Sequence, residues 1–279
     1  MTLVPTLTLN NGIDIPQLGF GTAGVRSVET LVSALSVGYR HLDTAEGYRN
    51  ATEIRRALEE SDVERSDVFV TSKLGVDRIS VDEIRESFDQ TLANLGMDCI
   101  DMFLIHWPLP TRRDFVETWR VLEAFSAEGR TRAIGVSNFQ IAHLRRLFEE
   151  TSIVPAVNQI EVHPYLTQTE LLDFNSQHGI ATEAWSPIAK GAVIKDQTVT
   201  RIASEYQKTP AQIVLRWHIQ LGNILFPKSN DPARMRENFE IFNFQLSAAD
   251  MSRISALNRN ERLGDDPDTF AFLPSRNAR

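Results

Sequence analysis

Residues 68–107, VFVTSKLGVDRISVDEIRESFDQTLANLGMDCIDMFLIHW, contain one complete unit of the pattern that decides the fold. The run VFVTSKL (68–74) is short and rich in β-branched and aromatic residues, which is typical of a buried strand. The stretch at 80–96 begins at Ser and ends at Gly, as capped helices do, and 101–107 is a second strand-like run. This order predicts two parallel strands joined by a crossover helix.

The same unit recurs along the chain, and eight strand-like segments can be counted. Helix-like stretches such as 27–38, 114–129 and 167–179 lie between them. Eight β units with intervening helices in 279 residues predict an α/β fold, the (β/α)8 TIM barrel. No flexible linker or charge block interrupts the repeat, so we expect a single domain over residues 1–279 rather than two. The eight segments are 16–21, 39–44, 68–74, 101–107, 131–138, 156–162, 180–185 and 223–229.

The segment before the first barrel strand has the pattern of a β-hairpin. TLTL (6–9) and IDI (13–15) alternate between apolar and polar residues. Asn11 and Gly12 between them form a two-residue turn signal, because both residues tolerate positive φ. We expect this N-terminal β-hairpin to close the bottom of the barrel.

Composition and charge exclude several classes of protein. The net charge of −8 arises from acidic residues scattered among basic ones, which argues against generic nucleic-acid binding. The single cysteine, Cys99, allows no internal disulfide and favours a reducing compartment. No stretch approaches the roughly 20 apolar residues of a membrane span, and the start does not resemble a signal peptide. We therefore expect a cytoplasmic protein that binds neither membranes nor nucleic acid.

The segment GFGTAG (19–24) satisfies the G-x-G-x-x-G pattern, and Asp43 follows about 20 residues later, as in a Rossmann domain. Two observations weigh against that interpretation. Pro16 shortens the preceding strand, and the next helix is expected to start near Ser27, beyond the last glycine. In a dinucleotide fingerprint the helix opens within the glycine motif. We favour glycines that serve a strand-to-loop turn.

Three consecutive strand-like segments end in polar residues: Asp43 with Tyr48 just beyond it, Lys73, and His106. Singly, a helix cap, a packing residue, a surface residue and a core histidine are the favoured explanations. At neighbouring strand ends of a barrel, however, Asp43 and Lys73 can pair. The ammonium can then lower the pKa of Tyr48 from about 10 and make it a better general acid. Tyr48 and His106 can together stabilise the alkoxide that forms when a carbonyl accepts hydride.

Six segments resemble the aldo-keto reductase family, particularly its bacterial 2,5-diketo-D-gluconate reductase branch. They occur in the same order and cover nearly the whole chain. The resemblance implies reduction of aldehydes or ketones by NADPH, with Tyr48 as general acid, Lys73 and Asp43 tuning it, and His106 positioning the carbonyl. It also favours a monomer. The segments are LDTAEGYRN (42–50), LIHWP (104–108), GVSNF (135–139), VNQIEVHPY (157–165), AWSP (184–187) and FPKSNDPARMRENF (226–239).

The resemblance also implies where the cofactor lies. Residues matching Ser137, Asn138 and Gln159 hold the nicotinamide carboxamide, and one matching Trp185 stacks on the ring. From the residues alone, a helix cap and a buried packing residue explain these positions as well. The remaining expected cofactor contacts are Gly21, Thr22, Asp43 and Ser186, with Glu237 and Asn238 matching residues that contact adenosine.

The last strand-like segment bears on the choice between NADPH and NADH. Lys228 and Ser229 end this segment, and Arg234 follows at the start of the next helix. Two cations and a hydroxyl near a helix N-terminus can bind an anionic 2′-phosphate, although a solvated basic surface is the alternative. We therefore expect NADPH, with NADH as a weaker donor.

The substrate pocket departs from the family pattern. Many relatives place Trp soon after the active-site Lys, whereas this chain has Gly75. We expect a more open pocket, with the C-terminal tail around Phe270 and Phe272 on its border. The expected substrate contacts are Phe20, Tyr48, Gly75, His106 and Trp107.

Other chemistries have less support. The six His residues show no paired ligand spacing and one Cys cannot build a thiolate site, so we expect no metal. No G-x-S-x-G nucleophile motif is present. A non-catalytic NADPH-binding redox sensor and a phosphate-binding barrel lyase or isomerase are the alternative functions. Neither accounts for the polar strand ends as well as a carbonyl reductase does.

Overall fold

The computed structural model describes residues 4–271, which form ten strands and ten helices. The strands are β1 (Thr6–Thr8), β2 (Asp14–Pro16), β3 (Phe20–Gly21), β4 (His41–Asp43), β5 (Phe69–Leu74), β6 (Ile100–Ile105), β7 (Thr131–Ser137), β8 (Val157–Glu161), β9 (Ala181–Trp185) and β10 (Ile224–Leu225). The helices are α1 (Val28–Val37), α2 (Ala51–Glu60), α3 (Val81–Leu95), α4 (Phe115–Ala127), α5 (Ile141–Glu150), α6 (Thr169–Gln177), α7 (Gln197–Tyr206), α8 (Pro210–Gln220), α9 (Pro232–Phe239) and α10 (Ala248–Ser255).

Strands β3 to β10 form one parallel sheet in chain order, and the sheet closes on itself. Closure depends on a parallel bridge between Leu18 and Leu225, where the Gly19 N–H donates to the Leu225 carbonyl at 2.7 Å. All eight predicted barrel strands are present at the expected positions. The prediction of a (β/α)8 barrel is confirmed.

The helices form where capping and apolar spacing coincide, as α3 illustrates. The Ser80 side chain accepts the Glu83 N–H, and the Glu83 carboxylate accepts the Ser80 N–H, which satisfies two backbone donors at the helix start. Gly96 ends the helix with φ 67°. Ile84 and Phe88, four residues apart, are buried against the barrel, and each such side chain contributes about 1.5–3 kcal/mol. Helix faces of this kind hold the outer layer on the strands.

The N-terminal hairpin covers the amino ends of the barrel strands, as predicted. Its side chains join the basal cluster, defined here as a group of buried apolar residues that extends from this end into the barrel interior. The predicted two-residue turn is wrong in detail, because the Leu9 N–H donates to the Ile13 carbonyl, which leaves residues 10–12 as a three-residue turn. Gly12 has φ 83° there. The basal cluster comprises Leu9, Ile15, Phe69, Met102, Leu104, Ala133, Ala156, Val157, Ile224 and Phe226.

The glycine motif at 19–24 serves the barrel rather than a Rossmann domain. Gly21 ends β3, and helix α1 begins only after its cap, Ser27, whose side chain accepts the Thr30 N–H. A Cβ at Gly21 would lie 2.8 Å from the Phe226 carbonyl oxygen, so glycine is needed for close packing at the closure of the sheet. Within residues 4–271, none of the helices has both the length and the apolar character that a membrane crossing requires.

Candidate active site

A cavity of about 650 Å³ opens at the carboxyl ends of the barrel strands. The strands deliver several of its polar side chains, because β4 ends at Asp43, β7 at Ser137 and β9 at Trp185. Tyr48 comes from a short 3-10 turn, Glu46–Tyr48, just after β4. The lining residues are Gly21, Ala23, Asp43, Tyr48, His106, Trp107, Ser137, Asn138, Gln159, Trp185, Ser186, Pro187, Ile188, Lys190, Phe226, Pro227 and Lys228.

Lys73 is completely buried beneath this cavity. Its Nζ donates to Asp43 Oδ1 at 2.6 Å and to the Thr44 carbonyl at 2.8 Å. Burial lowers the pKa of the Lys73 ammonium, but the charges of Asp43 and Tyr48 outweigh burial and leave that pKa above its ordinary value. The predicted ion pair is therefore present, with Lys73 as a cation.

Tyr48 lies beside this cation, with Lys73 Nζ 5.3 Å from the centroid of the tyrosine ring. Burial raises the pKa of the Tyr48 hydroxyl above its ordinary value, and the charge of Lys73 only reduces that rise. The expectation of a lowered pKa is wrong for the protein alone, because desolvation exceeds the charge effect. Tyr48 is therefore held as a protonated phenol, which is the form a general acid needs.

His106 faces Tyr48 edge-on, with 6.0 Å between the ring centroids and 81° between the planes. Burial lowers the pKa of His106 to about 3, and the positive charges of Lys73 and Arg113 add to this effect. The imidazole is therefore neutral at physiological pH and offers one N–H as a hydrogen-bond donor. Two neutral donors, the phenol and the imidazole, border the same space.

A second group of side chains lies on the other side of the cavity and is internally connected. Trp185 Nε1 donates to Asn138 Oδ1 at 2.9 Å, and Asn138 Nδ2 donates to the His106 carbonyl at 3.0 Å. Ser137 Oγ donates to the Gln159 carbonyl at 2.8 Å. The left-handed backbone of Asn138, φ 64°, turns its amide toward these partners. The residues predicted to hold nicotinamide therefore lie against the predicted catalytic residues.

Gln159 joins the two groups across the barrel interior. Its Nε2 donates to Asp43 Oδ1 at 2.9 Å and to Glu183 Oε2 at 2.8 Å. Asp43, Lys73, Gln159 and Glu183 thus form one buried unit, which we call the polar layer. Sequence reasoning missed Glu183, although an acidic residue two positions before Trp185 in a strand must face the same side.

The C-terminal segment packs behind Trp185, which sequence reasoning also missed. The Glu161 carboxylate accepts the backbone N–H groups of Leu263 at 2.8 Å and Gly264 at 3.0 Å. Gly264 touches the indole so closely that a Cβ there would lie 2.5 Å from Trp185 Cη2. No local pattern could have found this contact, because Glu161 and Gly264 are about 100 residues apart in the sequence.

The residues predicted to bind the 2′-phosphate lie at the rim. Lys228 lines the cavity, and its Nζ donates to the Ala23 carbonyl at 2.7 Å. Beside it, Ser229 is half-buried on the loop after β10, and Arg234 is exposed in the first turn of α9. Arg234 Nε lies 3.5 Å from Asp231. Basic groups are therefore available where an anion could bind.

Three predicted cofactor contacts are buried or bonded within the protein. The Glu237 carboxylate accepts Thr209 Oγ1 at 2.6 Å, and Asn238 is buried within α9. The Thr22 hydroxyl is buried and donates to the Asp43 carbonyl at 2.9 Å. Its neighbours Gly21 and Ala23 line the cavity.

Two predicted substrate contacts are wrong. Phe20 is completely buried in the helix layer, where its ring packs edge-on against Tyr39, because the alternating strand turns Gly21 inward and Phe20 outward. Gly75 lies in a separate groove beside Glu46, whose carboxylate accepts the Gly75 N–H at 2.8 Å. A Cβ at Gly75 would overlap that carboxylate, so a side chain there would require Glu46 to move.

The predicted aromatic border of the pocket is present in part. Trp107 lines the cavity, and its ring lies 4.4 Å from that of Phe270 in the C-terminal segment. Phe272 lies outside the described residues. Trp107 and Phe270 together form an apolar wall beside Tyr48 and His106.

Comparisons with known proteins agree with this geometry. The family model described as "Aldo/keto reductase family" matches residues 17–259. An aldo-keto reductase of Mycolicibacterium smegmatis is 48% identical over 271 residues, which are 96% of this chain and 98% of that protein. Methylglyoxal reductase DkgA of Escherichia coli is 42% identical, covering 95% of this chain and 97% of its own. A crystal structure of a Gox0644 variant in complex with NADPH superimposes with a TM-score of 0.93 at 37% identity, covering 97% of this chain and 100% of the other.

Proposed function

This chain belongs to the aldo-keto reductase family and reduces carbonyl groups with NADPH, and we propose that Tyr48 supplies the proton. One observation supports this proposal most. A continuous set of hydrogen bonds joins the Lys73–Asp43 pair, through Gln159, to Ser137 and so to the side chains around one cavity.

The side chains suit the cofactor that the family uses. NADPH, when bound, supplies hydride. Trp185 offers an aromatic face for the nicotinamide ring, while Ser137, Asn138 and Gln159 offer polar groups for its carboxamide. Lys228, Ser229 and Arg234 offer two cations and a hydroxyl for the 2′-phosphate. Glu237 and Asn238 remain proposed adenosine contacts, and Ser186 and the backbone at Gly21 and Thr22 remain proposed cofactor contacts.

The proposed chemistry follows from the charges. His106 and Tyr48 each donate a hydrogen bond to the carbonyl oxygen and stabilise the negative charge that develops on it. Tyr48 then transfers its proton to the alkoxide. The Lys73 ammonium stabilises the phenolate that this transfer leaves, and Asp43 keeps Lys73 charged and in place.

We propose small aldehydes and 1,2-dicarbonyl compounds as the substrate class. A 2,5-diketo-D-gluconate-type reductase and a broad-specificity carbonyl reductase are the alternatives. A methylglyoxal reductase among the relatives supports this choice. Trp107 and Phe270 add an apolar wall on the substrate side. A redox sensor or a lyase would leave the pairing of Tyr48 with His106 without a role.

Residues 1–279 are proposed to form one domain, since a single sheet and its helices account for the residues from Phe20 to Ser255. A monomeric state and a cytoplasmic location stay predictions of the sequence.

A Tyr48→Phe variant tests the proposal directly. Since a positioned general acid contributes about 10²–10⁴-fold, kcat for methylglyoxal and for a panel of other carbonyls is expected to fall by that factor. NADPH absorbance measures the rate, and a fluorescence titration should show unchanged NADPH affinity.

Tyr206→Phe is the matched control, because Tyr206 bonds Asp250 on the outer helices, and it should keep full activity. Full activity in Tyr48→Phe would overturn the acid assignment. No NADPH consumption by the unmodified protein with any carbonyl would overturn the substrate proposal.

A further inference from the structure

Glu183 is a completely buried carboxyl group in the polar layer, and the proposed reaction leaves it without a task. Its Oε2 accepts one hydrogen of Gln159 Nε2 at 2.8 Å, while the other hydrogen of the same nitrogen goes to Asp43 at 2.9 Å. Its second oxygen, Oε1, is buried and has no hydrogen-bond partner among the described residues. If Glu183 were ionised, the negatively charged Oε1 would be buried without a hydrogen-bond donor. The free-energy cost of burying that charge is far greater than the cost of burying a neutral acid.

The charges around Glu183 also favour the neutral acid. The polar layer contains two carboxyl groups, Asp43 and Glu183, but a single cation, Lys73, whose Nζ is already bonded to Asp43. Strand β8 contributes uncharged Gln159, and strand β10 contributes the apolar pair Ile224–Leu225. Ionised Glu183 would therefore be a second, uncompensated negative charge in the barrel interior.

The inward residue below the polar layer supplies no positive charge that could compensate an ionised Glu183. His41 projects from β4 below Asp43, and burial lowers its pKa to about 4, so it is neutral at physiological pH. Burial, followed by the charge of Asp43, raises the pKa of Glu183 to about 8, although Gln159 and Lys73 oppose this rise. Geometry and electrostatics agree on a protonated Glu183 at neutral pH.

We propose that Glu183 is a positioning residue that acts as an uncharged carboxylic acid, fixing the Gln159 amide and keeping the polar layer neutral beneath the nicotinamide site. The proposal rests on the proposed function, in which Gln159 contacts the carboxamide. Both hydrogens of Gln159 Nε2 are held inward by Asp43 and Glu183, so Oε1 of Gln159 is left to accept from the carboxamide. The reversed amide would set that oxygen against the carboxylate of Asp43.

The absence of charge on Glu183 affects which redox form of the cofactor binds more tightly. The oxidised nicotinamide ring is a cation, whereas the reduced ring is uncharged. A negative charge on Glu183 would attract the cation and shift the affinity toward NADP⁺. An uncharged Glu183 avoids this shift and favours the reduced form that carbonyl reduction requires.

The first test is thermal unfolding of the cofactor-free protein and of Glu183→Gln at several pH values. The Glu183 carboxyl group has a pKa of about 8 in the folded protein and an ordinary value of 4.5 in the unfolded chain, so it binds its proton more tightly in the folded state. Stability therefore falls as pH rises between these values in the unmodified protein but not in the variant. The Tm of Glu183→Gln minus that of the unmodified protein is expected to increase by about 5 °C from pH 6 to pH 8.5.

Asp101→Asn is the matched control. Asp101 is a buried carboxylate at the amino end of the barrel, but Arg65 and Arg132 pair with it and the Val70 N–H donates to it. Its replacement should lower Tm at every pH in this range, with no gain at high pH. The contrast separates an uncharged buried acid from an ion-paired one.

The second test compares the two redox forms of the cofactor. In the unmodified protein the ratio of the Kd for NADPH to the Kd for NADP⁺ should rise at least about threefold between pH 6.5 and pH 9. In Glu183→Gln the ratio should stay constant. Titration of the 2′-phosphate affects both cofactors equally and cancels in the ratio.

Infrared spectroscopy covers the case in which the variant does not fold. The unmodified protein should show the C=O stretch of a buried carboxylic acid at pH 6.5 that disappears by pH 9.5. A Tm difference and a Kd ratio that are both independent of pH, or absence of that infrared band, would overturn the proposal for Glu183. NADPH binding and consumption that persist in those experiments would leave the proposed function standing.

Discussion

The two ends of the barrel interior are built from the same strands but from opposite kinds of residue. Strand β5 starts at Phe69 in the basal cluster and reaches Lys73 in the polar layer, and β8 places Val157 and Gln159 in the same two positions. Within four residues on β5 and two on β8, inward positions thus change from apolar packing to hydrogen-bonded polar groups. The basal cluster can stabilise the fold through burial alone, whereas the polar layer is stable only when each of its groups has a partner.

Replacing the buried cation should give the largest effect and should damage both stability and activity. Lys73→Met leaves Asp43 without its cation, so the free energy of unfolding should fall by about 3–5 kcal/mol. The kcat/KM for carbonyl reduction should also fall by about 10³-fold or more, because the Tyr48 phenolate loses its stabilising charge. Chemical denaturation and steady-state kinetics measure the two losses.

The double variant Lys73→Met with Asp43→Asn separates those losses. Removing the orphaned charge should restore most of the stability while activity stays low. If the double variant regained activity, the polar layer would have only a structural role.

Substitutions in the basal cluster should change the stability of the protein but not its activity. Ile15 is completely buried in the basal cluster, so Ile15→Ala should lower the free energy of unfolding by about 2–5 kcal/mol. The kcat/KM at 25 °C should not change, since Ile15 lies at the end of the barrel away from the cavity. Denaturant unfolding together with NADPH-coupled assays tests both statements.

Ile15→Val provides the graded control and should cost about 0.5–1.5 kcal/mol. A change in kcat/KM that follows the loss of stability in this series would show that the two ends are coupled and would contradict the comparison.

The smallest effect is expected where the C-terminal segment meets the cavity. A Cβ in Gly264→Ala would lie 2.5 Å from Trp185 Cη2 and force the indole or the segment to move. Overpacking of this kind costs about 1–3 kcal/mol, and we expect the Kd for NADPH to rise about tenfold with a smaller change in kcat. Fluorescence titration with NADPH measures the change.

Asp265→Ala, at the exposed neighbouring position, should leave the Kd as it is. An unchanged Kd in Gly264→Ala would mean that Trp185 does not set NADPH affinity.

Sequence patterns predicted the features that depend on local periodicity and on strand ends. The eight strands, the helix caps and the positions of Asp43 and Lys73 follow from such patterns. Side-chain direction in a very short strand is harder, because β3 has two residues and its inward side is decided by pairing with β4. Phe20, predicted at the pocket, lies instead against the helix layer.

Contacts between distant segments could not be predicted from one sequence. Glu46 reaches Gly75 across 29 residues, and Glu161 reaches Gly264 across 103. The direction of the Tyr48 pKa shift also needed the structure, because desolvation depends on the complete surroundings of the phenol. The residues that carry charge were predictable, whereas the degree of their burial was not.

The closure between β3 and β10 makes the barrel a ring with one weak joint. A single bridge, Leu18–Leu225, joins these strands, whereas every other neighbouring pair has at least two residue pairs in register. Backbone amides exchange with solvent first where the fewest hydrogen bonds must break. Gly21 and Lys228 stand on opposite sides of this joint, and both line the cavity. A cofactor that contacts both sides would stabilise the closed joint. The rate of amide exchange there should therefore report whether the cavity is occupied.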